Sequence, residues 1–284
     1  YKINIMQNDQ EVKDLVKERY SEIALQSKTT NASSCCGAGG CSTIDLEIMS
    51  ENYTSLEGYF ADADLGLGCG IPTEFAQIKK GDTVVDLGSG AGNDAFVARS
   101  IVGEDGRVIG VDMTETMIEL SRKNAAKLNL QNVEFRLGDI ENIPITSNKA
   151  DVVVSNCVLN LVPNKVKAFS EMYRIIKPGG HFSVSDIVLV GELPPSILKE
   201  AEMYAGCVSG AIQKDEYLNI IAQNGFKQVS IKKEKEIILP DDILTNYLNE
   251  EQMTAFKNSG VGIFSITVFG EKPKDCGCGT DCCS

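Results

Sequence analysis

Ten cysteines and a single histidine frame the chemistry open to this chain. The cysteines fall into three sets. Cys35, Cys36 and Cys41 lie near the front, Cys69, Cys157 and Cys207 are spaced singly through the body, and Cys276, Cys278, Cys282 and Cys283 close the sequence. In a reducing compartment such clusters read as metal or redox sites before they read as structural disulfides.

A second constellation is VVDLGSGAGND, residues 84–94. Asp86 precedes three glycines, Gly88, Gly90 and Gly92, at alternate positions. Glycines permit a tight turn and let a ligand approach backbone where a Cβ would collide. Asp112 follows Gly92 by 20 residues and ends the next apolar run, where a carboxylate can accept both hydroxyls of a ribose. Asp139, in GDI, ends the run after that and can accept from an adenine amino group. A dinucleotide fingerprint fits Gly90, Gly92 and Ala95 only by force. The spacing D-x-G-x-G-x-G better suits S-adenosylmethionine, which has no pyrophosphate to cradle but has an ammonium to hold near the loop. A glycine turn that binds nothing is the plain alternative. Asp112 and Asp139, both in register at strand ends, count against it, and YRIIKPGG before the fifth strand favours a methyltransferase further.

The three scattered cysteines each have a plain reading as small buried hydrophobes. Against three separate plain readings, Cys69 has glycine on both sides and Cys207 has Gly206 and small residues around it, which reads as open backbone rather than core. Cys157 directly follows the fourth strand in SNCVLNL, at the ligand end of the sheet. Three thiolates meeting there form a soft, trigonal site that selects a thiophilic centre. Trivalent arsenic held by three sulfurs keeps a lone pair, and that pair could attack the methyl carbon of a sulfonium. Such a nucleophile carries no proton, so no general base is required, which agrees with the scarcity of histidine. Lowered thiol pKa values would help capture.

The elements that must position these groups follow from periodicity. TVVDLG (83–88), RVIGVD (107–112), VEFRLGD (133–139), ADVVVSN (150–156) and HFSVSDIV (181–188) read as short buried strands. Residues 93–102, 115–130 and 164–180 read as helices between them, with Ile118, Ser121, Ala125 and Leu128 on one face of the second and Val166, Phe169, Tyr173 and Ile176 on one face of the third. Alternation of this kind predicts an α/β fold with a doubly wound, mostly parallel sheet and right-handed crossovers. A helical pattern covers 8–26, and 27–42 is a small-residue, Gly-rich loop. Past residue 190 the rhythm changes: 196–224 looks helical, while 229–237 and 263–272 alternate as strands at an edge or in a small second layer. The expected organisation is an N-terminal segment (1–72), a nucleoside-binding domain (73–190), a smaller α+β domain (191–272) and a Cys-rich tail (273–284).

Composition narrows the classes. Lys and Arg number 27 against 40 Asp and Glu, a net charge of −13 over 284 residues, which argues against a broad basic face for nucleic acid. Hydrophobic residues at 43% and charged residues at 24% are ordinary for a globular chain. No apolar stretch is long enough for a bilayer and the first residues lack a signal-peptide core, so no membrane association and a cytoplasmic location are expected.

The motifs ADLGLGCG, VVDLGSGAGND, GVDMT, SNCVLNLVPNK, RIIKPGG and SDIV resemble, in order and spacing over roughly residues 55–215, those of the arsenite S-adenosylmethionine methyltransferases. The resemblance implies a class I methyltransferase fold. It implies that Cys69, Cys157 and Cys207 bind arsenic, and that Gly88, Gly90, Gly92, Asp112, Met113, Asp139 and Ile140 contact S-adenosylmethionine. Tyr59, Asp86, Ser89 and Asn156 complete the candidate cofactor set. Arsenite and methylarsenite are the implied substrates, with methyl, dimethyl and sometimes trimethyl products and a thiol reductant such as thioredoxin or glutathione as partner. The family also uses an N-terminal cysteine that can pair with the one matching Cys69; Cys35, Cys36 and Cys41 are all candidates. The tail cysteines could bind arsenite or zinc and deliver it, or scavenge soft metals dispensably. Competing readings are a small-molecule C- or N-methyltransferase, a dinucleotide oxidoreductase, and a metalloid- or zinc-sequestering protein.

Overall fold

Two opposed faces of apolar side chains explain the central sheet. In the computed structural model, which describes residues 2–25, 51–195, 197–198, 208 and 210–274, β1 (Thr83–Leu87) sends Val84 to one face and Val85 and Leu87 to the other. β4 (Ala150–Asn156) does the same with Val152 and Val154 against Val153. This two-residue alternation of wholly apolar positions marks strands covered on both sides. One face packs on α3 (Asn93–Val102) and α4 (Glu115–Lys127) through Phe96, Ile118 and Ala125. The other packs on α5 (Lys165–Ile175) and α6 (Lys214–Gln223) through Phe169, Met172, Tyr217 and Ile221.

The remaining strands are β2 (Arg107–Asp112), β3 (Val133–Leu137), β5 (Ile176–Val190), β6 (Lys227–Ile237) and β7 (Gly262–Glu271). The strand order is β3-β2-β1-β4-β5-β7-β6 in one seven-stranded sheet. β1 to β5 pair parallel; β7 runs antiparallel to β5 and β6 antiparallel to β7. Order reverses between β1 and β4, and the carboxyl ends of those two strands therefore open a crevice. The strands beyond residue 190 join the edge of this sheet, the first of the two placements their alternation allowed.

Three local expectations are corrected. The fifth strand is longer than 181–188: β5 starts at Ile176 and runs to Val190. Its pairing with β4 jumps from Ala150–Ile176 to Val152–His181, so Lys177 to Gly180 bulge out of the ladder and the Pro-Gly-Gly sequence lies inside the strand. The helix before it stops at Ile175, as the approach of Pro178 requires. Its buried face is Ala168, Phe169, Met172 and Ile175, while Val166 is exposed. The face is rotated because α5 packs against α6 as well as the sheet.

At its far end β5 pairs with β7 through Val190, five positions beyond the last pair with β4 at Asn156–Ser185. The β5–β7–β6 edge therefore overhangs the parallel strands. Ile187, Leu189, Ile237 and Ile263 on this overhang form a separate apolar cluster. Before the sheet, α1 (Lys2–Ala24) packs on α4, and α2 (Pro72–Phe75) lies against α3 and β5. α7 (Asp241–Leu244) and α8 (Glu250–Asn258) link β6 to β7, the latter opened by a capping box between Asn249 and Gln252. Among the described residues no helix is long and apolar enough to cross a membrane.

Candidate active site

The crevice at the strand-order reversal is lined by Asp86, Gly88, Ser89, Gly90, Asp112, Met113, Asp139, Ile140, Asn156 and Cys157, so the ends of four strands supply it. Gly88, Gly90 and Gly92 all have positive φ, a conformation nearly closed to other residues. Their roles differ. A Cβ on Gly92 would lie 2.8 Å from the Phe96 ring and 3.0 Å from Phe135, so this glycine serves helix packing and is not on the crevice wall. At Gly90 the nearest atom to such a Cβ is Met117 Sδ at 4.0 Å, leaving its backbone open to a ligand. The Gly90 N–H donates to Asp112 Oδ2 at 3.0 Å, and Thr114 N–H donates to Oδ1 at 2.8 Å, which pins the loop to the end of β2.

The crevice is strongly acidic. Burial pushes the Asp86 carboxyl well above the ordinary carboxylate range, and the charges of Asp94 and Asp112 push it further. Burial raises Asp94 to about 6 against the opposing hydrogen bonds of Asn156 and Tyr53, and it raises Asp112 despite its backbone donors. Asp86 Oδ2 and Ser89 Oγ are buried and have no hydrogen-bond partner among the described residues. A buried, unsatisfied carboxylate oxygen is costly on its own and is relieved by a positively charged ligand group. Lys13 of α1 also reaches the crevice, with Nζ 2.7 Å from Asp139 Oδ2 and 2.9 Å from Glu141 Oε2. Burial opposes the Lys13 charge, but the two carboxylates outweigh it and raise its pKa. The carboxylate expected to meet an adenine amino group is therefore already shared with a lysine.

Cys69 and Cys157 come together. Both are buried, and both belong to the apolar cluster on the β5–β7 overhang. Cys157 has φ of +59°, a left-handed conformation costly for a non-glycine residue, and its N–H donates to Ser185 O at 2.7 Å. The backbone of Cys69 is held at both ends: its N–H donates to Asn156 Oδ1 at 3.1 Å, and its carbonyl accepts from Ser265 Oγ at 2.6 Å. The expectation that flanking glycines leave Cys69 on open backbone is corrected. A Cβ on Gly68 would lie 2.6 Å from Asn156 Nδ2 and one on Gly70 2.5 Å from Ser185 Oγ, so the glycines permit tight packing.

Asn156 ties the two regions. Its Nδ2 donates to Tyr53 Oη at 2.8 Å, Gly70 O at 2.9 Å and Asp94 Oδ2 at 3.0 Å, while Oδ1 takes the Cys69 N–H. Tyr53 Oη lies 2.9 Å from both Asp94 Oδ1 and Gly70 O. Tyr53 and Asp94 were not legible as site residues; only the Asp immediately after the glycine loop offered a hint. Tyr59 stands behind the crevice wall, donating to Asp64 Oδ2 at 3.1 Å, and Asp64 lines the crevice in its place. Cys35, Cys36, Cys41, Cys207 and the tail cysteines lie outside the described residues. Val208 and Gly210, just after Cys207, are described; Val208 is buried in the cluster that holds Cys69 and Cys157.

Comparison with known proteins places the chain among methyltransferases. A methyltransferase-domain family model matches residues 78–225. The chain is 39% identical to the arsenite methyltransferase of Halobacterium salinarum over 280 residues, 93% of this chain and 67% of that protein. It is 38% identical to the arsenite methyltransferase of Mus musculus, over 64% of this chain and 50% of that protein. Among solved structures, an arsenic(III) S-adenosylmethionine methyltransferase from Chlamydomonas reinhardtii superposes with a TM-score of 0.60 at 32% identity, covering 74% of this chain and 68% of that one. The chain thus spans about two-thirds of the archaeal relative and half of the murine one.

Proposed function

The chain belongs to the arsenite methyltransferase family, and from that premise we propose how its residues divide the work of methylating trivalent arsenic. It is an S-adenosylmethionine-dependent methyltransferase. The crevice fits that cofactor: Gly90 is open to close approach, and the unpartnered Asp86 oxygen is matched by an ammonium. Asp86 and Ser89 would hold the amino-acid end, Asp112 and Met113 the ribose, and Asp139 and Ile140 the adenine. When bound, the cofactor supplies an electrophilic methyl group that departs from a sulfonium, leaving a neutral thioether.

Cys69, Cys157 and Cys207 hold the arsenical in this reading, and the dry packing around the first two excludes water that would compete for the metalloid. Arsenic bound by three sulfurs retains a lone pair and carries no proton, so no side chain has to act as a base. The protein's contribution is placement, with the entropy of bringing donor and acceptor together already lost on binding. Methyl transfer to the lone pair leaves arsenic formally two electrons more oxidised, and a thiol reductant such as thioredoxin or glutathione would supply those two electrons, becoming a disulfide as it returns arsenic to the trivalent state, in a reducing cytoplasm.

The observation that carries the reading is that Cys157 belongs to both regions, lining the acidic crevice and packing with Cys69 in the apolar cluster. Cys157→Ser and Cys69→Ser each test it. Each variant is expected to bind S-adenosylhomocysteine as the parent does, by calorimetry, while methylation of methylarsenite is lost. Parental turnover by Cys157→Ser would overturn it.

A further inference from the structure

Beneath the sulfur cluster lie three polar side chains that neither the cofactor crevice nor the arsenic ligands use. Lys165, Asp186 and Tyr217 are 9%, 1% and 0% exposed. Tyr217 Oη donates to Asp186 Oδ2 at 2.9 Å. Lys165 Nζ donates to Asn160 O at 2.9 Å and Val162 O at 3.1 Å. Asp186 accepts from the backbone N–H of Asn160 and, at 3.2 Å, of Ile187. The Asn160 residue is therefore gripped on its N–H by Asp186 and on its carbonyl by Lys165.

Stability does not explain this trio. Buried charged groups are often no better for stability than apolar residues of the same volume, and all their polar atoms must be satisfied. Location does explain it. Asn160 sits in the short 3-10 turn Leu159–Leu161 that follows the left-handed Cys157. Gly210, with φ of +102°, rests on the same carbonyl: a Cβ there would lie 2.5 Å from Asn160 O. The chain around Val208 and Gly210 then runs directly into α6, which carries Tyr217. Burial, and then the Asp186 carboxylate, push the Tyr217 hydroxyl well above the ordinary phenol range, and Cys69 and Cys157 lie near enough to add to it. Every bond of the trio ends on the loop after Cys157 or on the elements that frame the chain after Cys207.

We propose that Lys165, Asp186 and Tyr217 are positioning residues for arsenical capture, a clamp on Asn160 that fixes the turn just after Cys157 against Gly210 and α6. None of the three touches the arsenical; they set the spacing of the sulfurs that do. The inference rests on the sulfur reading above.

The test is steady-state kinetics of full-length Tyr217→Phe and Lys165→Met, each substrate varied in turn, with Cys157→Ser assayed beside them. Tyr217→Phe removes one hydroxyl, and binding of S-adenosylhomocysteine reports that each variant is folded. Loss of a hydrogen bond to a charged group predicts KM for methylarsenite raised, and kcat lowered, by about tenfold in Tyr217→Phe, with more in Lys165→Met. KM for S-adenosylmethionine should stay within about twofold, because the Tyr217 hydroxyl bonds Asp186 and none of the residues assigned to the cofactor. A merely structural role would lower the melting temperature and shift both substrates' parameters together, and that result overturns the proposal. So does Tyr217→Phe with parental arsenical kinetics. If Lys165→Met does not fold, Tyr217→Phe decides alone. An inactive Cys157→Ser beside a parental Tyr217→Phe sinks the clamp alone; an active Cys157→Ser sinks the sulfur reading beneath it.

Discussion

At the carboxyl ends of β1 and β2 the binding surface is made of backbone amides and carboxylates, and some of it is left unsatisfied: Asp86 and Asp94 are buried with pKa values pushed up, and Asp86 Oδ2 has no partner among the described residues. On the overhang of β5 and β7 the surface is the opposite. Cys69 and Cys157 are packed among Ile187, Leu189 and Ile263, and the polar groups nearby are bonded, Cys69 through Asn156 and Ser265 and Asp186 through Tyr217. One region stores unfavourable charge that a cationic ligand relieves. The other stores fixed geometry, which a centre bound by several sulfurs requires. Asn156 is where the two are joined.

The sharpest way to break this comparison is to remove charge from one side only. Asp86→Asn should weaken S-adenosylmethionine by about a hundredfold, the loss of a buried charge-assisted contact, and leave arsenical binding unchanged. Calorimetry with each ligand separately checks both halves. Asn156→Ala should instead damage both regions, raising KM for cofactor and arsenical alike by about tenfold, since it frees the Cys69 loop and unbinds Asp94. Equal insensitivity of the two ligands to Asn156→Ala would show that the regions are not joined there.

Titration addresses the acidic region alone. With Asp94 at about 6, the carboxylate gains a proton as pH falls through that value and ceases to favour a cation. Affinity for S-adenosylmethionine should fall by about tenfold between pH 7 and pH 5, measured at constant ionic strength. The sign for stability is opposite. An unfolded aspartate titrates near 4, so the folded protein holds more protons between about 4 and 6, and stability conferred by this group declines as pH rises across that window. The unliganded protein should melt lower at pH 7 than that group alone would allow at pH 5, and cofactor should narrow the gap. The smallest effect concerns Lys13. Lys13 and Glu141 are largely covered, but Asp139 is 40% exposed and water can replace the lysine there, so Lys13→Ala should change cofactor KM by about threefold or less.

The sequence made the acidic region legible because its parts are local. D-x-G-x-G-x-G lies in one turn, and Asp112 and Asp139 end strands whose two-residue alternation marks them. The cysteine region was legible only as residue types. Nothing in GLGCG says that its glycines meet Asn156 and Ser185, because those contacts form across 88 residues of chain between Gly68 and Asn156 and 115 between Gly70 and Ser185. The early start of β5 at Ile176 was hidden by Pro178 and the glycines after it, which read as a turn although they bulge within a strand. The rotated face of α5 depends on α6, which no local period reveals. Lys165, Asp186 and Tyr217 stand on three separate elements and carry no spacing signal at all.

The most direct measurement is arsenic K-edge absorption on protein in which Cys35, Cys36, Cys41, Cys276, Cys278, Cys282 and Cys283 are all changed to Ser, loaded with arsenite. Three sulfur neighbours about the arsenic, falling when Cys157 is also changed to Ser, is the expected result. A spectrum with oxygen neighbours in place of sulfur, or one that Cys157→Ser leaves unaltered, would contradict a site built from Cys69, Cys157 and Cys207.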